Sequence, residues 1–103
     1  MPVKFRNDSR TLTEKNEKLQ EPDDYTVVLL NDDYTTRDFV VEILKLIFHK
    51  DTEEATRIML NVHRRGRGAV GKYTLDIAVT KVDQVHSLAR QYEFPLRCVV
   101  EKV

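Results

Sequence analysis

Three absences narrow the field before any motif is read. The 103-residue chain has no net charge, with 17 basic residues against 17 acidic ones. No global field therefore draws it to nucleic acid or to a membrane, and neither is expected as a partner. It has one cysteine, Cys98, so no internal disulfide can form. Cys98 sits in an apolar run and reads as a buried small hydrophobe, and a reducing, cytoplasmic setting is expected. No apolar segment reaches the length that crosses a bilayer. Met1 to Gln20 lacks the apolar stretch of a signal peptide, so none is expected there. No internal repeat is visible. A chain this short should hold one domain with one modest core, and a deep active site with its own lid is not expected.

What is present falls into two parts. Residues 1–23 are polar and charged, with Val3, Phe5, Leu12 and Leu19 as scattered apolar points. Such a segment cannot bury enough apolar area to offset its ordering entropy, which predicts a disordered, flexible N-terminal extension ending near Pro22. Residues 24–103 carry the pattern of a folded domain.

Tyr25 to Leu30 is rich in β-formers and apolar on both faces in its second half, as a well-covered strand would be. The polar loop Asn31-Asp32-Asp33 follows. Thr35 with Asp38 three residues later predicts a capping box. The helix it opens has Phe39, Val40, Ile43, Leu44, Ile47 and Phe48 on one face and ends at His49-Lys50. Asp51 with Glu54 is a second capping signal, for a helix carrying Ala55, Ile58, Met59 and Val62. Arg64 to Gly68 is a basic, glycine-punctuated turn, and Ala69 to Tyr73 a short strand. Thr74 should cap a third helix from Leu75 to about Tyr92, with Leu75, Ala78, Val82, Val85 and Ala89 on one face and Leu88 beside them. Pro95 forbids further helix. Leu96 to Glu101 closes the chain as a strand. The order β-α-α-β-α-β predicts an α+β domain, a small three-stranded antiparallel sheet with three helices on one face.

The chemistry-bearing residues are few. Asn31, Asp32 and Asp33 offer carbonyl and carboxylate acceptors, and His63 offers a nitrogen acceptor when neutral. An acceptor-rich cluster suits a cation with several donors, such as a metal or an ammonium. Each part also has a plainer reading. The tripeptide fits a turn and helix entry, and His63 fits a helix end whose carbonyl dipoles favour a protonated imidazole. Met59 and His63 are four residues apart, so an apolar floor and a polar tip would share one helix face. Metal binding is not expected, because there is no His-x-x-x-His pair and no cysteine cluster, and consecutive carboxylates diverge unless the loop turns them together. Catalysis is not expected either: His63 is a possible base, but no nucleophile and oxyanion donor accompany it at recognisable spacing. Arg64, Arg65 and Arg67 could touch phosphate, yet without flanking aromatics they read as a solvated turn.

Four segments carry a resemblance. Val-Val-Leu-Leu-Asn-Asp-Asp-Tyr-Thr at 27–35, Thr-Arg-Ile-Met-Leu-Asn-Val-His at 56–63, Thr-Lys-Val at 80–82 and Pro-Leu-Arg-Cys-Val-Val-Glu-Lys at 95–102 resemble ClpS. ClpS is the adaptor that brings N-degron substrates to a Clp-type AAA+ protease, and the resemblance covers residues 24–103. It implies a non-enzymatic adaptor, a cytoplasmic monomer without cofactor. Such an adaptor recognises the free N-terminus of proteins beginning with Leu, Phe, Tyr or Trp and delivers them to a ClpA- or ClpC-type unfoldase for degradation by ClpP. It also modulates that protease's choice of substrates. By position in the family, Asn31, Asp32 and His63 receive the α-amino group. Thr35, Val40, Met59, Val62 and Leu96 wall the side-chain pocket, with Asp33 and Arg37 at its mouth. Asp76 and Lys81 would face the unfoldase N-domain, although both also read as plain surface charges. The tail is implied in substrate handover, and about 23 extended residues reach roughly 75 Å. Arg37 departs from the commoner pattern, in which an apolar residue such as Met stands there. Its stem can lie over an aromatic ring or swing clear, which puts the range of accepted first residues in question. Two other readings stand beside this one, a regulator of the unfoldase that presents no substrate and an RNA- or ribosome-associated domain using Arg64, Arg65 and Arg67.

Overall fold

A computed structural model describes residues 24–103; the expected N-terminal extension, 1–23, lies outside the described residues. Six elements follow in the order β1 (Tyr25–Leu30), α1 (Arg37–Leu46), α2 (Thr52–Arg65), β2 (Arg67–Tyr73), α3 (Leu75–Gln91) and β3 (Arg97–Lys102). β1 is the central strand of an antiparallel sheet ordered β2-β1-β3. That placement explains its sequence: Val27, Val28 and Leu29 are all buried, and Val27 and Leu29 join the core cluster. The core joins Val27 and Leu29 of β1 to Ile43 and Leu44 of α1, Ile58 and Val62 of α2, Val85 and Ala89 of α3, Val70 of β2 and Cys98 of β3. Burial pushes the Cys98 thiol up to about 12, which fits its reading as an inert hydrophobe.

The element order and the helix count agree with the sequence; several boundaries do not. β2 begins at Arg67, two residues before the predicted Ala69, because Arg67 and Gly68 pair with Leu30 and Leu29. The register slips between Val27 and Val28, leaving Val70 as an extra residue on β2, a bulge that the local sequence does not announce. The cap of α1 is Thr36, not Thr35: its hydroxyl accepts the Phe39 N–H at 3.1 Å. Thr35 is instead tied into the preceding loop. Asp51 caps α2 as expected, accepting the Glu54 N–H at 2.8 Å. Glu54 does not complete the box, since its carboxylate pairs with Arg57. Thr74 occupies the cap position of α3, but its hydroxyl donates to Asp76 Oδ1 and makes no backbone cap. Leu75 was expected on the buried face of α3 and is 48% exposed, with its neighbours Ile77 and Val79 exposed to a similar degree.

Two features fix how the helices lie on the sheet. The α2–β2 junction is a left-handed Gly66 (φ 86°), whose N–H closes on Val62 O at 3.0 Å. Its own carbonyl accepts the Asn31 N–H at 3.0 Å, pinning the loop after β1 to the end of α2. At the other end of the domain, Lys81 Nζ donates to Ile47 O at 2.7 Å and stands 5.6 Å from the Phe48 ring centre and 5.7 Å from that of Tyr73. A cation there offsets the carbonyl end of the α1 dipole and bridges α3 to α1.

Candidate functional site

The hydrogen bond from Asn31 to Gly66 sets two polar groups side by side that are more than thirty residues apart in sequence. Between them lies a hollow of about 400 Å³, near the small end of the roughly 300–1,000 Å³ typical of ligand clefts. Asn31, Asp32, Asp33, Arg37 and His63 are part of its polar lining, and Val40, Met59 and Val62 its apolar lining. Val40 and Val62 are buried core residues whose side chains form the apolar floor, while Met59 is half-buried.

The loop is rigid for a local reason. Asp32 Oδ1 accepts the N–H groups of Tyr34 and Thr35 at 2.8 and 2.7 Å, and its Oδ2 accepts the Thr35 hydroxyl at 2.7 Å. This is an Asx turn, the plain reading of the tripeptide, realised in full. It leaves one acceptor position over, because a carboxylate offers about four and three are taken. Burial pushes the Asp32 carboxyl up, but the Thr35 N–H, the Thr35 hydroxyl and the Tyr34 N–H together outweigh it. The group therefore stays below its ordinary value of 3.8 and is charged at neutral pH. Within the same lining, Arg37 Nη2 lies 2.5 Å from His63 Nε2.

Nine of the twelve residues singled out from the sequence come together. Asn31, Asp32, Asp33, Thr35, Arg37, Val40, Met59, Val62 and His63 share the one hollow. Leu96 does not line it; it is buried in the core and borders a separate hollow beside His86, Arg90 and Phe94. The remaining pair, Asp76 and Lys81, lines a shallow hollow of about 220 Å³ on α3 with Ile77, Thr80 and Gln84. Tyr34 and Thr36 also line the main hollow and were not picked out. The sequence signal for Tyr34 was an aromatic residue directly after three acceptors, and the fold leaves it 76% exposed. Arg67 is paired with Glu101 at 2.6 Å across the sheet, which removes it from the basic turn. Among the described residues no three His, Cys, Asp or Glu side chains cluster as metal ligands, and no helix is long and apolar enough to cross a membrane.

Residues 20–99 match the family model for the ATP-dependent Clp protease adaptor protein ClpS. The ATP-dependent Clp protease adapter protein ClpS of Syntrophus aciditrophicus (strain SB) is 59% identical over 90 residues, 87% of this chain and 84% of the relative. The protein of the same description from Burkholderia thailandensis is 56% identical over 97 residues, 94% of this chain and 93% of the relative. Among solved structures, Agrobacterium tumefaciens ClpS2 bound to L-phenylalaninamide superposes with a TM-score of 0.77 at 39% identity, over 80% of this chain and 99% of that one. With a matching family model and relatives more than half identical over nearly the whole length, the chain belongs to the ClpS family of Clp protease adaptors.

Proposed function

We propose that the hollow beneath the Asn31–Arg37 loop receives the first residue of a protein whose N-terminus is free and whose first side chain is Leu, Phe, Tyr or Trp. The observation that carries this is the meeting of an acceptor-rich loop and a histidine with an apolar floor in one small cleft. An α-amino group with a pKa near 8 is mostly ammonium at neutral pH and presents three donors. Asn31 Oδ1, the spare acceptor position of Asp32 and His63 Nε2, on which Arg37 rests in the ligand-free chain, are the acceptors, and a charge-assisted bond to an unoccupied one is worth about 1.5–3 kcal/mol. The first side chain lies against Val40, Met59 and Val62, where burying a Leu or Phe adds about 1.5–3 kcal/mol. After ordering costs, the sum suggests micromolar affinity, suitable for a carrier that must release its cargo. The ligand of the Agrobacterium relative, a free amine beside an aromatic side chain with an amide in place of the next peptide bond, has this chemistry.

On the same reading the chain hands its cargo to the N-domain of a ClpA- or ClpC-type unfoldase, acting as a monomer in the cytoplasm. The face formed by Asp76 and Lys81 on α3 supports that assignment. It is flanked by the exposed apolar side chains of Leu75, Ile77 and Val79. Lys81 already bridges α3 to α1, so its replacement acts on stability as well as on docking.

Fluorescence anisotropy with labelled peptides that differ only in their first residue tests the reading. Peptides beginning with free Phe or Leu should bind at micromolar or lower concentration. Acetyl-Phe, which has no charge to offer Asp32, should bind at least tenfold more weakly. Failure of every free N-terminus to bind would leave the regulator that presents no substrate as the better account.

A further inference from the structure

The contact between Arg37 and His63 is unexplained by the fold. Arg37 is the first residue of α1, where the positive end of the helix dipole disfavours a cation. Among the described residues its guanidinium has no carboxylate partner, although Asp33 and Asp38 are near in sequence. It rests instead on His63 Nε2, 2.5 Å away and 26 residues on. A guanidinium has donors only, so Nε2 must be the bare, accepting nitrogen and the ring proton must sit on Nδ1. That lone pair is the acceptor the proposed ligand's ammonium requires.

We infer that Arg37 is a resident cation of the amine site. With no ligand bound it occupies His63, and an arriving α-ammonium takes its place. This rests on the N-terminus-binding reading and deepens it. Binding becomes an exchange of one cation for another at His63, so that the His63 contact adds little net affinity while Arg37 is present. A blocked N-terminus has no charge with which to displace the guanidinium, which keeps the His63 acceptor. Arg37 thus sets the affinity ceiling of the site and sharpens its demand for a free amine.

A double-mutant cycle tests the exchange. Arg37→Met keeps an apolar stem and removes the guanidinium; it should tighten binding of a free Phe-peptide about tenfold, the size of one charge-assisted bond. In a His63→Ala background the same replacement should change affinity less than about twofold, because the acceptor being contested is gone. Equal or weaker binding by Arg37→Met would overturn the proposal. So would a tenfold gain that persists without His63, since that is simple repulsion between charges. A ligand-free measurement stands apart: the imidazole ¹⁵N shifts of His63 should report one fixed tautomer, protonated at Nδ1, in the native chain, and a mixture in Arg37→Met. A mixture in the native chain would overturn the contact itself. If that tautomer is fixed but no free N-terminus binds any variant, the reading beneath the proposal fails and the exchange fails with it, while the contact remains.

Discussion

Asp32→Ala is expected to weaken binding of a free Phe-peptide by about 10- to 100-fold, the equivalent of the 1.5–3 kcal/mol of a charge-assisted bond. Two losses combine in that figure. The replacement removes the one carboxylate that is both in the hollow and fixed in place, and it also frees the loop, because Tyr34 and Thr35 lose the acceptor that orients them. Asp32→Asn separates the two. Its side-chain oxygen can still accept both N–H groups, and its amide can donate to the Thr35 hydroxyl, so the turn survives while the charge does not. Asn should therefore melt within a degree or two of the native chain yet bind several-fold to tens-fold more weakly; Ala should lose binding and about 1 kcal/mol of stability together. Anisotropy titrations beside thermal melts distinguish the outcomes. Native-like affinity in Asp32→Asn would mean that the carboxylate serves the turn alone.

The same carboxylate dictates a pH response. Its pKa is lower in the folded chain than its ordinary value of 3.8. A depressed carboxyl contributes stability that is complete above the ordinary value and disappears as pH falls through the folded one. The turn is therefore intact across the neutral and mildly acidic range and loosens only below about pH 4.

How much of this was legible in the sequence depends on the range of the forces involved. Helical periodicity is local, and Phe39, Ile43, Leu44, Ala55, Ile58 and Val62 are buried as their spacing requires. So is the cap at Asp51. The choice between Thr35 and Thr36 was not legible, because both can cap. What decides it is that Asp32, three residues back, claims Thr35 through both its N–H and its hydroxyl. The start of β2 was missed because Arg67 and Gly68 have no strand propensity of their own and become strand by pairing with Leu30 and Leu29. For the site, residue types showed an acceptor-rich loop and a histidine beside an apolar helix face. They did not show that the Asn31 N–H would seek Gly66 O, the bond that makes them one cleft. Of the residues that the resemblance assigns to the site, nine line the hollow, while Leu96 is buried in the core and borders a different one.

That cleft depends on how closely α2 approaches the sheet, and Gly68 sets the approach. Its backbone is not left-handed, so conformational freedom is not the reason for glycine here. A Cβ at this position would stand 2.7 Å from Val62 Cγ2, 3.1 Å from Ile58 O and 3.3 Å from Val62 N. The first clash is with a β-branched side chain stiff at χ1, and the second is with helix backbone, so neither gives way easily. Gly68→Ala should therefore destabilise the domain by about 1–3 kcal/mol, the usual range for overpacking a tight core. For roughly 80 folded residues this lowers the melting temperature by about 4–8 °C per kcal/mol. Gly66→Ala, two residues earlier, is the instructive contrast. Nothing lies within 4 Å of the added carbon, but the φ of 86° penalises any L side chain. It should cost about 1 kcal/mol through backbone strain alone and leave the α2–β2 spacing untouched. The two variants therefore part at the hollow. Gly68→Ala pushes on Val62, part of its floor, and should weaken peptide binding severalfold even well below its melting temperature, whereas Gly66→Ala should bind nearly as the native chain does. A Gly68→Ala protein that melts and binds like the native one would show that α2 can move away from the sheet without cost, and that the floor of the cleft is not held where the packing places it.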